Sequence, residues 1–448
     1  EGVKDDGSDL DLINYSAHYC KIDCEVLQGG YNKFRSWFLA DPINLDINDI
    51  ISVPSAANMF FLANGVYDDV YKLSGVPRMF IQNCVVGGRC MVRKNKQYHT
   101  QMPMADFDAV SLYPSAMAEM SGFPLGKPKV WNSTINELAV DACFLKINIT
   151  EVGIKRAFPL ISRYEGLTRD WANNCGEMFV DKTTLEDLIE FHAIKYAVVE
   201  GYYYDEGVNP AIKDSIKLLF EERLKRKAVD NPAETIFKLL MNAGYGKSIL
   251  KPIDDDVKIF DTSAQMLKHL NYNYNNIIWY KKVSLCDRWI CKMRKPINSH
   301  FNNVACGVMI LSQSKRIMNR MMCLAEDIGI KIYYTDTDSI HIPTADIPAL
   351  NDAYEAKYPN LPALIGEGLG QFHTDFKMKG ANGDNIHKSN IIYAKECIFL
   401  GKKTYYDVLV CDEVKDKHGK PTGEGQLIGE HIRMKGIPNK SILYKSIN

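Results

Sequence analysis

The chain of 448 residues has no CxxC pair among its twelve cysteines, no long unbroken apolar run, and a net charge of only −1. Each absence excludes something. Cys20 and Cys24, or Cys286 and Cys291, stand at spacings without matching partners, so a zinc site is not expected and the thiols read as those of a reduced, intracellular protein. With no apolar stretch of about eighteen residues and no signal peptide, no membrane partner is expected. The near-zero charge gives no global sign of a nucleic-acid partner, which would have to be held by local basic patches. What is present is an ordinary globular composition, 46% hydrophobic and 24% charged, long enough for roughly two to four domains. The first residue is Glu1 and not Met, which reads as a processed chain or a piece of a longer one.

The most informative stretch is KIYYTDTDSIHI at 331–342. Two β-branched and aromatic runs flank a four-residue polar tip, the pattern of a strand, a tight turn and a returning strand. Asp336 and Asp338 are two apart and so share a face in extended geometry. At about 4 Å and an effective dielectric of about 20, two like charges repel by roughly 4 kcal/mol. A fold keeps such a pair with something cationic between them, and a divalent metal is the natural candidate. Standing alone, the stretch reads equally well as a plain Asp-rich turn.

Other segments carry weaker signals. Residues 11–28 recur at helical spacing, with Tyr19 and Asp23 one turn apart, and Gly29-Gly30 are expected to end the helix. Residues 41–54 read as loop, with an apolar helix around Met59 to Val66. Gly87-Gly88 permits a sharp turn, and Arg89 after it can meet a phosphate or close a plain turn. The run MADFDAVSLYPS at 104–115 reads as a buried strand ending near Asp108, a turn, and a helix opening near Pro114. A carboxylate at a strand end beside exposed backbone amides suits a metal-bound triphosphate.

Residues 118–214 are mixed, with strand-like runs at 143–149 and 196–204 and no evident chemistry. Residues 211–229 form a helix with a basic end. The next helix opens on Asn231 and Pro232, and Lys238, Asn242 and Tyr245 fall within roughly 60° on one face. Ile236, Leu239, Leu240 and Ala243 are expected on its core face, and Gly246 allows close backbone approach. Residues 251–300 are polar and aromatic, with 271–276 loop-like and cations interleaved with Trp279 and Trp289. An apolar helix at 303–327 leads into the polar hairpin. After a Gly-rich connector at 366–375, a strand at 399–407 is expected to carry Lys403 and Tyr405 on one face.

In this order, DAVSLYPS at 108–115, KLLMNAGYGK at 238–247, YTDTDS at 334–339 and KTY at 403–405 resemble the motifs of family B DNA polymerases. Ala243 and Gly244 depart from the usual Ser and variable residue. Gly87, Gly88 and Arg89 resemble the motif that joins exonuclease and polymerase domains in the protein-primed branch of phages, viruses and linear plasmids, with Val85 or Val86 in place of Tyr. Tyr19 and Asp23 resemble the third exonuclease motif, YxxxD, whose companions would lie upstream, so the chain is not expected to proofread.

The resemblance implies an α+β right-hand polymerase, with a palm built on an antiparallel sheet, helical fingers and a thumb, preceded by the last helix of a 3′–5′ exonuclease domain. The implied divisions are an exonuclease remnant at 1–40, palm at 41–117, an insertion at 118–214 where this branch binds its priming protein, and fingers at 215–250. A processivity insertion at 251–300, palm at 301–400, and primer grip with the start of the thumb at 401–448 complete them. Two Mg²⁺ ions, replaceable by Mn²⁺, would be held by Asp108, Asp338 and the Val110 carbonyl, with Asp336 as a third catalytic carboxylate. Ser111, Leu112, Tyr113, Arg223, Arg226, Lys238, Asn242 and Tyr245 would bind the nucleotide. Gly87, Gly88, Arg89, Gly246, Thr337, Lys403 and Tyr405 would meet DNA. The implied partners are primer–template DNA, dNTP and a terminal priming protein. The setting would be a viral replication site, host cytoplasm or nucleus, or a mitochondrion for a linear plasmid. An RNA- or DNA-primed replicative relative, and a catalytically weak DNA-binding fragment, stay open.

Overall fold

The computed structural model describes residues 12–435, apart from 166–167, 251–252, 254, 284–285, 297–301, 381–382, 384, 388, 417 and 424. The end of the expected thumb, beyond Lys435, and the first part of the expected exonuclease remnant therefore lie outside the described residues. The chain divides into two compact units, one holding the residues up to Asp68 together with Asp214–Lys247, the other the remainder.

The first unit is helical. Its opening helix, Leu12–Leu39, runs through Gly29-Gly30 instead of stopping there. Glycine costs about 1 kcal/mol in a helix but ends one only where the backbone turns left-handed. The continuation is anchored at its far end, where Phe38 is buried and Arg35 donates to Asp46 at 2.8 Å. The second helix, Val53–Ala63, starts ahead of the apolar run expected at 59–66, because Pro54 in its first turn and Ser52 before it set an earlier beginning. Two further helices, Ala211–Lys227 and Glu234–Ser248, are joined by a turn in which the Asn231 side chain accepts from the Ala233 amide at 3.0 Å.

The last of these buries Ile236, Phe237, Leu240 and Met241, not the expected face with Leu239 and Ala243. The stripe is rotated by roughly 80° at about 100° per residue. The reason is Gly244, where an added Cβ would stand 2.2 Å from the Phe61 ring. The missing side chain lets the two helices close on that side and draws Phe237 and Met241 inward.

The second unit is built around the helix Val304–Asp327, buried along most of its length. One side of it, with Ile317, Met321 and Met322, joins Phe107, Ile340 and Ile342 beneath a nine-stranded antiparallel sheet. In spatial order the main path of that sheet is Cys90–Val92, Tyr334–Asp336, Ser339–Pro343, Met104–Ala109, Tyr393–Gly401, Thr404–Cys411 and Leu427–Met434. Phe372–Thr374 pairs with Met104–Ala109 off that path, and Tyr98–Thr100 with Tyr393–Gly401.

The region 118–214 is a second sheet, of strands Lys129–Val130, Ile194–Tyr204, Ala142–Val152 and Gly176–Asp181, followed after the last by the helix Lys182–His192. It is clamped to the long helix where Arg316 pairs with buried Asp187 at 2.6 Å. Residues 255–294 form a three-stranded sheet with the helix Ser263–Asn273, which runs on into a 3-10 turn at Tyr274–Asn276, so the expected loop at 271–276 is helical. Some of its cations face acids of the same segment, Lys292 with Asp255 at 2.7 Å and Arg288 with Asp261 at 3.0 Å. Among the described residues no helix is long and apolar enough to cross a membrane.

Gly244→Ala tests the helical unit. Helix propensity alone would stabilise the chain by about 1 kcal/mol. The overlap with buried Phe61 costs about 1–3 kcal/mol, so the net effect expected in calorimetric unfolding is a lower melting temperature. A higher one would contradict the packing described.

Candidate active site

The polar hairpin closes more tightly than its sequence suggests. The ladder pairs Asp336 with Ser339, leaving a two-residue turn of Thr337 and Asp338. Thr337 has φ of 69°, a left-handed conformation that β-branched residues seldom adopt. It is held from below, since its amide donates to the Arg89 carbonyl at 2.8 Å. A Cβ on Gly88 would meet the Thr337 side chain at 2.4 Å, so that position accepts only glycine without displacing the turn. Lys315 on the long helix, half-buried and lowered to about 8 by the loss of solvent around it, donates to the Val86 carbonyl at 2.7 Å. The GGR motif is thus the seat of the turn.

This corrects the expectation for Arg89. Its side chain is buried and donates to the carbonyls of Phe158 and Pro159, each at 3.1 Å, so it has no face for a phosphate. Gly88 is occupied by protein in the same way, and Gly87 alone of the three is exposed.

Asp108 lies across from Ser339 on the neighbouring strand, and the Ala109 amide donates to the Asp338 carbonyl at 2.8 Å. The carboxylates of Asp108 and Asp338 therefore share one edge of the sheet. Burial, followed by the charges of Asp338, Asp106 and Asp375, raises Asp108 to about 8. Burial likewise raises Asp338, with Asp336 and Asp106 adding to it. Asp336 has a cationic partner, the Lys403 ammonium. The cation expected between Asp336 and Asp338 is thus a lysine on Asp336, and the pair left without one is Asp108 and Asp338.

After the strand, Ser111 turns left-handed with φ of 48° and the helix Leu112–Glu119 begins, with Tyr113 half-buried in its first turn. The positive end of that helix lies beside the strand end. The Val110 carbonyl accepts from the Ser115 hydroxyl at 2.8 Å, which leaves its second lone pair.

Lys403 occupies the turn between Tyr393–Gly401 and Thr404–Cys411, not a strand, and its amide donates to the Tyr334 hydroxyl at 2.9 Å. Tyr405 does not share an open face with it. It is buried, with its ring 4.8 Å from that of Tyr334, and only its edge reaches solvent. These groups line a cleft of about 670 Å³, with Asp106, Asp108, Asp336, Asp338 and Asp375 on its floor and Lys403, His431, Arg433 and Lys435 on its wall.

Several of these were missed in the sequence. His373 pairs across from Asp108 on the strand Phe372–Thr374 and lies 3.7 Å from Asp375, in a segment that read only as a Gly-rich connector. Asp106 could have been found, because it precedes Asp108 by one full strand period.

In the helical unit, Lys238 and Asn242 are exposed along one strip with Tyr245 half-buried, as expected. Nothing lies within 4 Å of the place a Cβ would take at Gly246. Arg223 is already paired with Glu234 at 3.0 Å, and Arg226 with Glu222 while stacking 4.3 Å over Phe237. Both expected triphosphate ligands are therefore engaged in holding their own helices. Tyr19 and Asp23 sit on the exposed surface of the opening helix.

The residues present suit a hard cation. Among the described residues no three His, Cys, Asp or Glu side chains converge into a closed metal cage. Mg²⁺ does not need one, since it is usually bound by one or two carboxylates plus water and substrate phosphates. Asp108 and Asp338, both raised and both open to the cleft, are such a set.

The raised Asp108 has a consequence for stability. The unfolded chain loses this proton near pH 4 and the metal-free folded chain only near 8. The folded state binds the extra proton, so its stability falls as pH rises across that window. Thermal unfolding in EDTA should show Asp108→Asn melting above the parent at pH 8, by less at pH 5. Mg²⁺ should then raise the melting temperature of the parent and not of the variant. Parallel curves for the two proteins would contradict this.

A family model described as DNA polymerase type B, organellar and viral, matches residues 3–334. A protein named "Probable DNA polymerase" from Ascobolus immersus is 24% identical over 378 residues, 76% of this chain and 28% of that protein. One of the same name from Neurospora intermedia is 25% identical over 284 residues, 57% and 26% of the two. The chain thus spans about a quarter of the length of these curated relatives. Among solved structures, Phi29 DNA polymerase complexed with primer-template DNA superposes with a TM-score of 0.61 at 16% identity, covering 89% of this chain and 63% of that one. Its orthorhombic crystal form gives 0.60 at 17%, covering 88% and 62%. The sheet, the carboxylate hairpin and the buried central helix thus form a polymerase fold, and with the family model matched over well more than half its residues the chain belongs to the type B DNA polymerases, organellar and viral.

Proposed function

We propose that the cleft carries out template-directed nucleotidyl transfer, joining a dNMP to a primer 3′-OH with release of pyrophosphate. The observation that carries this is the placement of Asp108 at a strand end beside Asp338 in the adjoining hairpin turn, both held above the usual carboxylate range in an open cleft. Two Mg²⁺ ions, or Mn²⁺, bound there would stabilise charge on the attacking and leaving oxygens.

The chain's own residues do the rest. Asp108 and Asp338 are the residues that would hold the cations that neutralise the triphosphate. The turn at Ser111 and the start of the next helix present backbone amides and a positive dipole end to phosphate oxygens. Tyr113 lies in that first turn and would bar a ribose 2′-OH by clash. Lys403, fixed against Asp336 and Tyr334, places an ammonium on the cleft wall where a primer phosphate can be gripped, with Tyr405 behind it. Lys238, exposed and with no ion pair among the described residues, is assigned to the triphosphate, and Asn242 and Tyr245 to the nascent base pair. Thr337 shapes the turn more than it contacts DNA.

Protein priming is the finer part of the proposal. It is supported by the GGR motif, by the folded insertion at 118–214, and by a fold shared with a Phi29 DNA polymerase complexed with primer-template DNA and incoming nucleotide substrates. A viral or linear-plasmid genome is the substrate this reading implies.

Extension of a labelled primer–template is the direct test. Asp108→Asn and Asp338→Asn should each reduce the rate by at least about a thousandfold, the scale of losing a transition-state electrostatic partner, without lowering the melting temperature. Near-normal extension by either would refute the assignment. For sugar selection, Tyr113→Val should raise ribonucleotide incorporation relative to deoxyribonucleotide, and an unchanged ratio would place the gate elsewhere. Label transferred to a candidate priming protein, in a reaction without a nucleic-acid primer, would separate protein priming from the RNA- or DNA-primed alternative.

A further inference from the structure

His341 and Asp407 are fully buried, yet they come from strands that are not neighbours. Ser339–Pro343 and Thr404–Cys411 are separated in the sheet by Met104–Ala109 and Tyr393–Gly401. The sheet is rolled far enough that His341 Nε2 lies 3.3 Å from Asp407 Oδ2. His431, from Leu427–Met434, brings its Nδ1 to the same oxygen at 3.0 Å. The other ring nitrogen of His341 faces Asp106 Oδ1 at 4.0 Å, too far for a hydrogen bond. The rings of Tyr334, Phe376, Phe399 and Tyr405 surround His341, with centroids 5.1 to 5.7 Å away.

Apolar side chains could fill this space without burying charge, and a buried ion pair contributes little to stability beyond what such a filling would. What it does supply is a fixed geometry. Burial alone would push Asp407 up and His341 down. The charge of His341 and the hydrogen bonds from both imidazoles instead hold Asp407 at about 2, and Asp407 and Asp106 raise His341. The network stands at the base of the cleft, with His431 reaching its wall. His341 lies on the strand that follows the Asp338 turn, and on the next strand Asp106 precedes Asp108 by two, on the same side of it. Asp407 belongs to the hairpin whose turn is Lys403, and His431 to the strand that brings Arg433 to the cleft wall.

We propose that Asp407, His341 and His431 are positioning residues for nucleotidyl transfer, holding the strands that carry Asp108 and Asp338 in register with the Lys403 turn and with Leu427–Met434. None of them touches a reacting atom. This rests on the polymerase reading of the cleft, so its test has a readout that does not require turnover. In that test, Mn²⁺ binding to the chain with primer–template is measured from the electron paramagnetic resonance signal of the free ion, beside the Mg²⁺ concentration giving half-maximal extension.

Asp407→Asn and His341→Gln should each weaken Mn²⁺ binding by about tenfold and slow extension by about ten- to hundredfold at saturating dNTP, the scale for residues that orient metal ligands. The Mg²⁺ requirement should rise in parallel, with little change in KM for dNTP. Ile147→Val, a core change in the insertion sheet, lowers stability without altering either readout, and so separates a positioning role from loss of fold. Should Asp407→Asn not fold, His341→Gln and His431→Gln carry the comparison. Mn²⁺ binding and Mg²⁺ requirement equal to the parent's in the folded variants would overturn the proposal. If the parent binds Mn²⁺ and DNA but does not extend the primer, the polymerase reading fails for this chain, while the Mn²⁺ comparison still decides the network.

Discussion

Two carboxylates, one at a strand end and one in the turn of the neighbouring hairpin, partly buried and with no cation of their own, repel each other, and much of the second unit can be understood as what keeps them in place. Asp108 and Asp338 are fixed by a backbone ladder, in which Asp108 faces Ser339 and the Ala109 amide holds the Asp338 carbonyl. Behind the ladder lies a continuous apolar core shared by Phe107, Ile340 and the long helix. That core cannot relax to let the charges separate, because closely packed interiors yield little to small displacements. The strain is expressed as a raised proton affinity, a pre-formed demand for a cation. Its cost to the metal-free fold is the physical link between stability and catalysis in this molecule.

The second constraint is the two-residue turn. A threonine in the left-handed region needs support, and the chain supplies it from two places distant in sequence: the Arg89 carbonyl with the bare backbone of Gly88, and the half-buried Lys315 that fixes Val86. Arg89 then reaches inward to the carbonyls of Phe158 and Pro159, so the same short motif also fastens a segment within the insertion. A motif that looks like a ligand-binding loop is here a structural seat, and its effect on the reaction passes through the position of Asp338.

The opposite wall of the cleft is joined to the floor by ionic contacts. Lys403 neutralises Asp336, while Asp407 gathers His341 and His431 inside the roll of the sheet. The first contact is at the surface of the cleft, while in the second His341 and Asp407 are fully buried and His431 is half-buried, so the two act at different depths. The hairpin bearing the lysine turn and the hairpin bearing the catalytic turn are thereby one mechanical piece, although the strand Met104–Ala109 separates them in the sheet order.

Asp108, Asp336 and Asp338 of the carboxylate floor were legible in the sequence because local patterns encode them, whereas Asp106 and Asp375 were not singled out. Alternation marks the strands, a polar tip marks the turn, and two Asp residues one strand period apart announce a shared face. The existence of the helix and the exposed strip of Lys238 and Asn242 were legible for the same reason, as periodicity acts over a few residues, although the helix begins at Glu234 and Asn231 with Pro232 lies in the turn before it. What the sequence left undecided involved partners far away. Whether Gly29-Gly30 would end a helix depended on the anchoring of Phe38 and Arg35 beyond it. The core face of Glu234–Ser248 was set by Phe61 against Gly244, and the burial of Arg89 by carbonyls some seventy residues on. His373 came to stand opposite Asp108 only through strand pairing across more than 260 residues of chain. The sequence by itself determined the chemical groups and their local geometry, because spacing along the backbone is covalent. Tertiary structure alone decided which of those groups face water, each other or the cleft, because burial and electrostatic neighbours arise only when distant segments pack.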